Sequence, residues 1–411
     1  MAEESLRYSC PFINQYVRIP KHISDRVNAA HSAEYEGVRH CIGLIMVNLL
    51  ALGEVAYSRN SNFYTKHHTR HYTRANMLKA VEVAAAQGYA VKSRMGFWNR
   101  KFERGLSSTL SPGGRLHGIE PPAEMELEIE SLPLLVVDDR QVFDSEGLAS
   151  IVSNPGLVSP ESLSLTSRLT DIYHTASRLN KNYWNRMAVD GRNLGPGERC
   201  LSRVGLTRRY KEGGVGRWFQ MGGLSYQQLP KVERAKLILD GDGVSELDYP
   251  AMHPHLLYAW EGRWCPDGFY ESVTELCGCT RPVAKQMALM AVNADGYRKL
   301  VSAVNFGRWR EPEPTLYDEL KRLGLTPREV VQALVQAHPV LEKYIYSGQA
   351  NRLMLEESEI MTSVLLSLME VGIPALPVHD SVVAPRRDRE QVRQAMEYAY
   401  RERTGFRIAV E

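Results

Sequence analysis

Apolar and polar positions change period several times along this chain, and each change predicts an element. Residues 41–53, CIGLIMVNLLALG, are apolar almost without a break. That run is too short to span a bilayer and predicts a buried helix. RANMLKAVEVAAAQGY at 74–89 places apolar residues at helical spacing, with Gly88 as the stop. YAVKSRMGFWN then predicts a strand and a glycine turn, and GLSSTLSPGG a returning strand. Helix followed by basic hairpin is the outline of a winged helix, which lays its helix on DNA and its wing on the backbone. A small structural α+β domain gives the same pattern. MELEIESLPLLVV at 125–137 alternates and then turns fully apolar, as a strand entering a core does. NPGLVSPESLS at 154–164 reads as a turn-rich linker.

Residues 165–212 are polar, basic and helical in pattern, and from about 213 the chain becomes a series of strand–turn–helix units. VSELD predicts a strand ending on Asp248, followed by a helix with Pro254 in its first turn and Gly262 as its stop. A carboxylate at a strand end beside a helix start is exposed yet held, as magnesium requires of its oxygen ligands. In TRPVAKQMALMAVNA (280–294), Thr280 suits an N-cap and Pro282 the first turn. Arg281, Lys285, Leu289 and Asn293 recur every four residues and are expected on one stripe, with two cations near the helix N-terminus to grip a polyphosphate. PALPVHDSVVAP (374–385) sets two apolar runs around His379-Asp380-Ser381. Polar residues make turns; Asp380 as a metal ligand is the sharper reading.

Composition changes this picture in three ways. A chain of 411 residues has material for two or three domains. The net charge of +2 hides segregation: residues 119–150 hold nine acids against one arginine, and residues 168–217 hold eleven Lys/Arg against four acids. Clustered positive charge is the footprint of a polyanion partner or a solvated face. The six cysteines (10, 41, 200, 265, 277 and 279) show no zinc-like pairing, and Cys277-Gly-Cys279 reads as two ordinary thiols. The start, MAEESLRYSCPF, lacks the layout of a secretory signal. The expected setting is reducing and cytoplasmic, with no membrane partner. His67, His68 and His71, in the basic and aromatic YTKHHTRHYTR, read as surface or phosphate-contacting residues rather than ligands.

Four stretches, in order, resemble the core shared by family A DNA polymerases and the single-subunit RNA polymerases of phages and mitochondria. GGVGR at 213–217 with SYQQLP behind it is similar to the T/DxxGR element and the segment that follows it. LDYPAMHPHLLY is similar to motif A, RPVAKQMALMAVNA to motif B, and PVHDSVVAP to motif C. The resemblance covers roughly residues 210–411 and leaves the N-terminal half unaccounted for.

The resemblance implies an α+β right-hand polymerase: an antiparallel palm sheet with helical fingers and thumb, behind an N-terminal helical, winged-helix-like domain. The expected division is 1–150 for that nucleic-acid-binding domain, 151–212 for a linker and helical thumb, and 213–411 for palm and fingers. The implied activity is template-directed nucleotide transfer by a compact DNA polymerase without an exonuclease, suited to replication of a plasmid, phage or other mobile element. Primer-template DNA and nucleoside triphosphates are the implied partners, and two Mg²⁺ ions, with Mn²⁺ as an alternative, the cofactors. Asp248, Asp380 and the Tyr249 carbonyl would hold the metals. Arg281 and Lys285 would take the triphosphate, with Lys285 also protonating pyrophosphate. Leu289, Asn293 and His253 would face base and sugar, Arg217 with Gly216 and Gln228 the nucleic acid, and His379 the primer terminus. The residue five beyond the motif A aspartate, the glutamate that screens the ribose 2′-hydroxyl in the DNA enzymes, is His253 here, bulky enough to block that hydroxyl and equally able to donate a hydrogen bond to it, and Asn293-Ala294 replaces Tyr-Gly. Leu289 and Ser381 lean toward the RNA enzymes, QQLP toward the DNA enzymes. A primase or RNA polymerase on the same core, an initiator with an inactive polymerase half, and a metal phosphohydrolase using His253, His255 and His379-Asp380 are the other readings.

Overall fold

The computed structural model describes residues 13, 15–59, 64, 71–94, 97–99, 104–106, 108–122, 124–125, 133–137, 140–142, 145–152, 160–191, 201–210, 216–221, 226–307 and 315–411. Several expected features fall outside them: His67 and His68, most of the 154–164 linker, residues 213–215, the tip of the basic hairpin, and Cys10 and Cys200. The fold is mixed α+β.

The apolar run at 41–53 lies in the helix Glu36–Leu52, buried on nearly every side. A helix apolar all round has no solvent face to present. It packs against Lys21–Ala30 and Arg74–Ala86, the latter capped by the Thr73 hydroxyl, which accepts from the Asn76 N–H at 3.2 Å. Beside them lies a three-stranded antiparallel sheet in the order Val55–Tyr57, Ser108–Pro112, Ala90–Arg94. Its return needs two glycines. Gly88 stands at φ +74°, and a Cβ on Gly113 would sit 2.2 Å from the Gly88 carbonyl oxygen. Between the second and third of these strands in sequence, Phe97–Asn99 pairs antiparallel with Arg104–Leu106.

The apolar cores do not divide at 150. One spans Ile13 to Ile119 and adds Met221; the other runs from Leu134 to Ile408. Residues of the segment expected as linker and helical thumb belong to the second core. Its helix Pro160–Asn182 buries Leu169, Ile172, Ala176 and Leu179, spaced three and four apart. Trp184, at its end, donates to the Ala375 carbonyl at 3.2 Å. Residues Ala188–Asp190 and Leu201–Arg203 are then strands of the sheet that carries both candidate aspartates. The expected boundary at 212 falls inside an antiparallel pair, Leu206–Tyr210 with Trp218–Gln220.

That larger sheet has seven strands in the order Leu376–Val378, Ser381–Pro385, Asp242–Asp248, Ile238–Leu239, Ala188–Asp190, Leu201–Arg203, Glu124–Met125. All neighbours are antiparallel except the last pair. The helices Ala350–Glu370 and Arg389–Thr404 pack on each other, and the latter packs against the central strands. Ser381–Pro385 is buried along its whole length, which explains its unbroken apolar run. Among the described residues no helix is long and apolar enough to cross a membrane.

Candidate functional site

Asp248 ends the strand Asp242–Asp248, and Asp380 occupies the two-residue turn between Leu376–Val378 and Ser381–Pro385. The register pairs Val244 with Pro385 and Asp248 with Ser381. Just beyond that pair, the Tyr249 N–H points at the Asp380 carbonyl, 3.4 Å away. Two backbone distortions flank the acids. His379 stands at φ +58° and Ala251 at φ +51°, both without glycine's freedom. A left-handed residue with a Cβ costs about 1–2 kcal/mol, a strain that collects where geometry serves a function. Both aspartates line an open cleft of about 320 Å³.

The opposite wall is the helix Arg281–Asn293, with Pro282 in its first turn. Arg281, Lys285 and Leu289 line the cleft together with Ala288, but the last lining residue of the helix is Val292 rather than Asn293. Steps of four overshoot a 3.6-residue turn, so three of them rotate Asn293 by about 120° from Arg281, whereas Val292 returns to within about 20°. Arg281 is also engaged. Its guanidinium lies over the Tyr270 ring and donates to Glu271 at 2.7 Å.

The third wall comes from the helix Ala350–Glu370, through Leu353 and Glu357. The Glu357 carboxylate accepts two hydrogen bonds from Arg217, both at 2.6 Å, and pairs with His253 Nε2 at 3.0 Å. Its side chain is only 1% exposed. Burial pushes its pKa up, but the hydrogen bonds from His253 and Arg217 outweigh burial and hold it below the usual carboxylate range. Sequence reading missed this residue. The signal was there: Glu357 stands on the apolar stripe Leu353, Ile360, Met361, Val364, where a charge needs a partner.

The remaining candidates divide. The Tyr249 side chain is buried and donates to the Met396 carbonyl at 2.6 Å, so only its backbone can serve the cleft. Gly216 does not line the cleft; it is a packing glycine. Its carbonyl accepts from Arg208 Nε at 2.7 Å, and a Cβ there would meet Arg208 at 2.9 Å and Leu355 at 3.0 Å. Gln228 is exposed and outside the cleft, whereas its neighbour Gln227 donates to the Trp218 and Pro377 carbonyls. His379 is exposed at the hairpin tip and does not line the cleft. Ser381 is buried and donates to Glu246 and the Val378 carbonyl, inside the sheet. Sequence reading also missed Glu411. It lines the cleft and exchanges two backbone hydrogen bonds with Asp248, at 2.9 and 3.1 Å.

Burial and like charge act on both acids. Burial, then the nearby Asp380 charge, pushes Asp248 up to about 6 against the pull of Lys231 and Lys285. Burial and the Glu357 charge raise Asp380 as well. Asp248 Oδ1 is buried with no hydrogen-bond partner. An unpaired buried acceptor on a carboxylate of raised pKa fits a divalent ion. Among the described residues no group of three or more His, Cys, Asp or Glu side chains is arranged to hold a metal. Two carboxylates with a backbone carbonyl fit magnesium, which takes its remaining oxygens from water and substrate phosphates.

No family model matches the chain, and no curated protein matches it. Among solved structures, the chain is similar to the POL domain of Pol1 from M. smegmatis in complex with DNA primer-template and dNTP. The identity is 9% and the TM-score 0.30, over 98% of this chain and 66% of that one. A likeness of that size carries neither fold nor function across.

Proposed function

We propose that this chain is a template-directed nucleotidyltransferase, a DNA polymerase that works by a two-metal mechanism. One observation carries the reading: aspartates remote in sequence, Asp248 and Asp380, share a cleft whose facing helix presents Arg281 and Lys285. Paired acids opposite paired cations suit a metal-bound polyphosphate. The four sequence motifs supply the reaction class.

Asp248, Asp380 and the Tyr249 carbonyl would hold the two ions. When bound, those ions would supply activation of a primer 3′-oxygen and charge neutralisation at the leaving phosphates. The protein's own part is positioning. Arg281 exchanges Glu271 for the triphosphate. Lys285, exposed one helical turn further along, donates a proton to departing pyrophosphate. Leu289 and Val292 pack against the base, and His253 meets the sugar. A larger cleft of about 850 Å³ shares Arg281, Tyr270 and Glu411 with the first and gives pyrophosphate a way out. The N-terminal unit binds duplex DNA through phosphates, with salt-sensitive affinity.

Primer extension with Mg²⁺ or Mn²⁺ and labelled dNTPs tests the reading. The wild type extends a primer according to its template, and Asp380→Ala does not. Incorporation that survives Asp380→Ala would sink the site assignment. Efficient unprimed synthesis from NTPs would make the chain a primase or RNA polymerase instead.

A further inference from the structure

Glu357 lies outside the four motifs and is bonded to two residues of the cleft. Its Oε1 and Oε2 each accept from Arg217 at 2.6 Å, and Oε2 also meets His253 Nε2 at 3.0 Å. Arg217, His253 and Glu357 line the same cleft as Asp248 and Asp380. The three come from separate elements: the chain after 216, the helix Met252–Trp260, and the helix Ala350–Glu370. A bidentate guanidinium–carboxylate pair is geometrically stiff. Anything further bonded to that carboxylate inherits the stiffness. His253 therefore cannot swing aside without breaking a hydrogen bond to a carboxylate that is 1% exposed. With Nε2 turned to Glu357, the ring is committed to one orientation.

We propose that Glu357 is the positioning residue for sugar selection: one carboxylate grips Arg217 and His253 together and holds the imidazole as a fixed wall against the sugar's 2′ position. The cleft then admits 2′-deoxyribonucleoside triphosphates and rejects ribonucleotides. Glu357 does not touch the reacting atoms; it acts through His253. Arg217, held by the same carboxylate, keeps the nucleic-acid side of the cleft in register with the sugar side. This rests on the polymerase reading above.

The experiment is single-nucleotide primer extension with dNTP and NTP, comparing the two kcat/KM values for wild type, Glu357→Gln, Glu357→Asp, His253→Ala and the double variant Glu357→Gln/His253→Ala. Gln keeps the size and an acceptor but loses the bidentate charge; Asp keeps the charge but is too short to reach both partners. The wild type prefers dNTP. His253→Ala lowers the preference at least thirtyfold, and either Glu357 variant lowers it at least tenfold. The double variant falls no further than His253→Ala, because the two residues act as one unit. A merely structural role lowers incorporation of both nucleotides equally and leaves the ratio alone. Glu357 variants that keep the wild-type ratio while His253→Ala loses it overturn the inference and leave the polymerase reading standing. A wild type that prefers NTP overturns the direction of selection. A wild type that incorporates neither removes the polymerase reading itself and the inference with it.

Discussion

Asp248 stands directly across from Ser381 in an antiparallel register, and that pairing seats Asp380 beside the end of the Asp248 strand. The two carboxyl groups share a cleft, and burial together with the Asp380 charge raises the Asp248 pKa to about 6. The sheet therefore holds a destabilising arrangement in place, and its consequences are measurable.

Stability should depend on pH through Asp248. Its pKa rises from the ordinary 3.8 to about 6 on folding, so the folded protein holds this proton more tightly than the unfolded chain. The contribution is fully present below pH 4 and is lost as pH rises through 6. A shift of that size is worth about 3 kcal/mol before solvent screening, and for a partly exposed group we expect about 1–2 kcal/mol. Asp248→Asn should abolish activity, stabilise the metal-free protein at pH 7.5 by that amount in urea unfolding, and flatten the profile between pH 4 and 6. Mg²⁺ should stabilise the wild type and not the variant. An unchanged or lower stability of Asp248→Asn at pH 7.5 would contradict the electrostatic picture.

The backbone of Glu411 closes a small bridge onto Asp248, with hydrogen bonds in both directions. Ile408, three residues earlier, is buried and anchors this stretch. Removing residues 409–411 leaves that anchor and takes away both bonds. Each is worth about 1 kcal/mol to stability, but they fix the strand end that aims a candidate metal ligand. The deletion should lower kcat at least tenfold, a larger loss than its cost of about 2 kcal/mol in urea unfolding accounts for while the protein remains folded. Full activity in the deletion variant would show that Asp248 needs no such support.

The hairpin around Asp380 and the stripe on Arg281–Asn293 were legible because each depends on one short period in one segment. The two apolar runs at 374–385 read as strands because both faces of Ser381–Pro385 are covered. Asn293 was misplaced because a four-residue step is a poor substitute for a 3.6-residue turn over three turns. Glu357 was legible only as a charge on an apolar stripe in need of a partner; which partners it takes was not, since they arrive from two other elements. The strands Ala188–Asp190 and Leu201–Arg203 were missed for a similar reason. Three residues are too few to show alternation, and their place in the sheet is set by neighbours distant in sequence.

Gly216 should tolerate no side chain. A Cβ would stand 2.9 Å from Arg208 Nη2 and 3.0 Å from Leu355 Cδ1. Arg208 is 2% exposed and also paired with Glu359 at 2.9 Å, so it cannot retreat freely. Gly216→Ala should cost about 1–3 kcal/mol by overpacking. It should also displace Arg217, the next residue, and raise the KM for primer-template more than the KM for nucleotide. Equal effects on both would place the damage elsewhere in the fold.

A triphosphate in the cleft should have to displace Glu271 from Arg281. The pair is exposed on both sides, 57% and 50%, and its 2.7 Å contact is made in water. An exposed ion pair is worth at most about 1 kcal/mol, equivalent to about a fivefold change in an equilibrium constant. Glu271→Gln frees the guanidinium while leaving the Tyr270 ring beneath it. The nucleotide KM should therefore fall two- to fivefold with kcat nearly unchanged. Arg281→Ala should raise the same KM by more than tenfold, because it removes a phosphate contact rather than a weak competitor. Steady-state extension at saturating primer-template measures both. If Glu271→Gln raises the nucleotide KM, the acid orients Arg281 for the phosphate instead of holding it back.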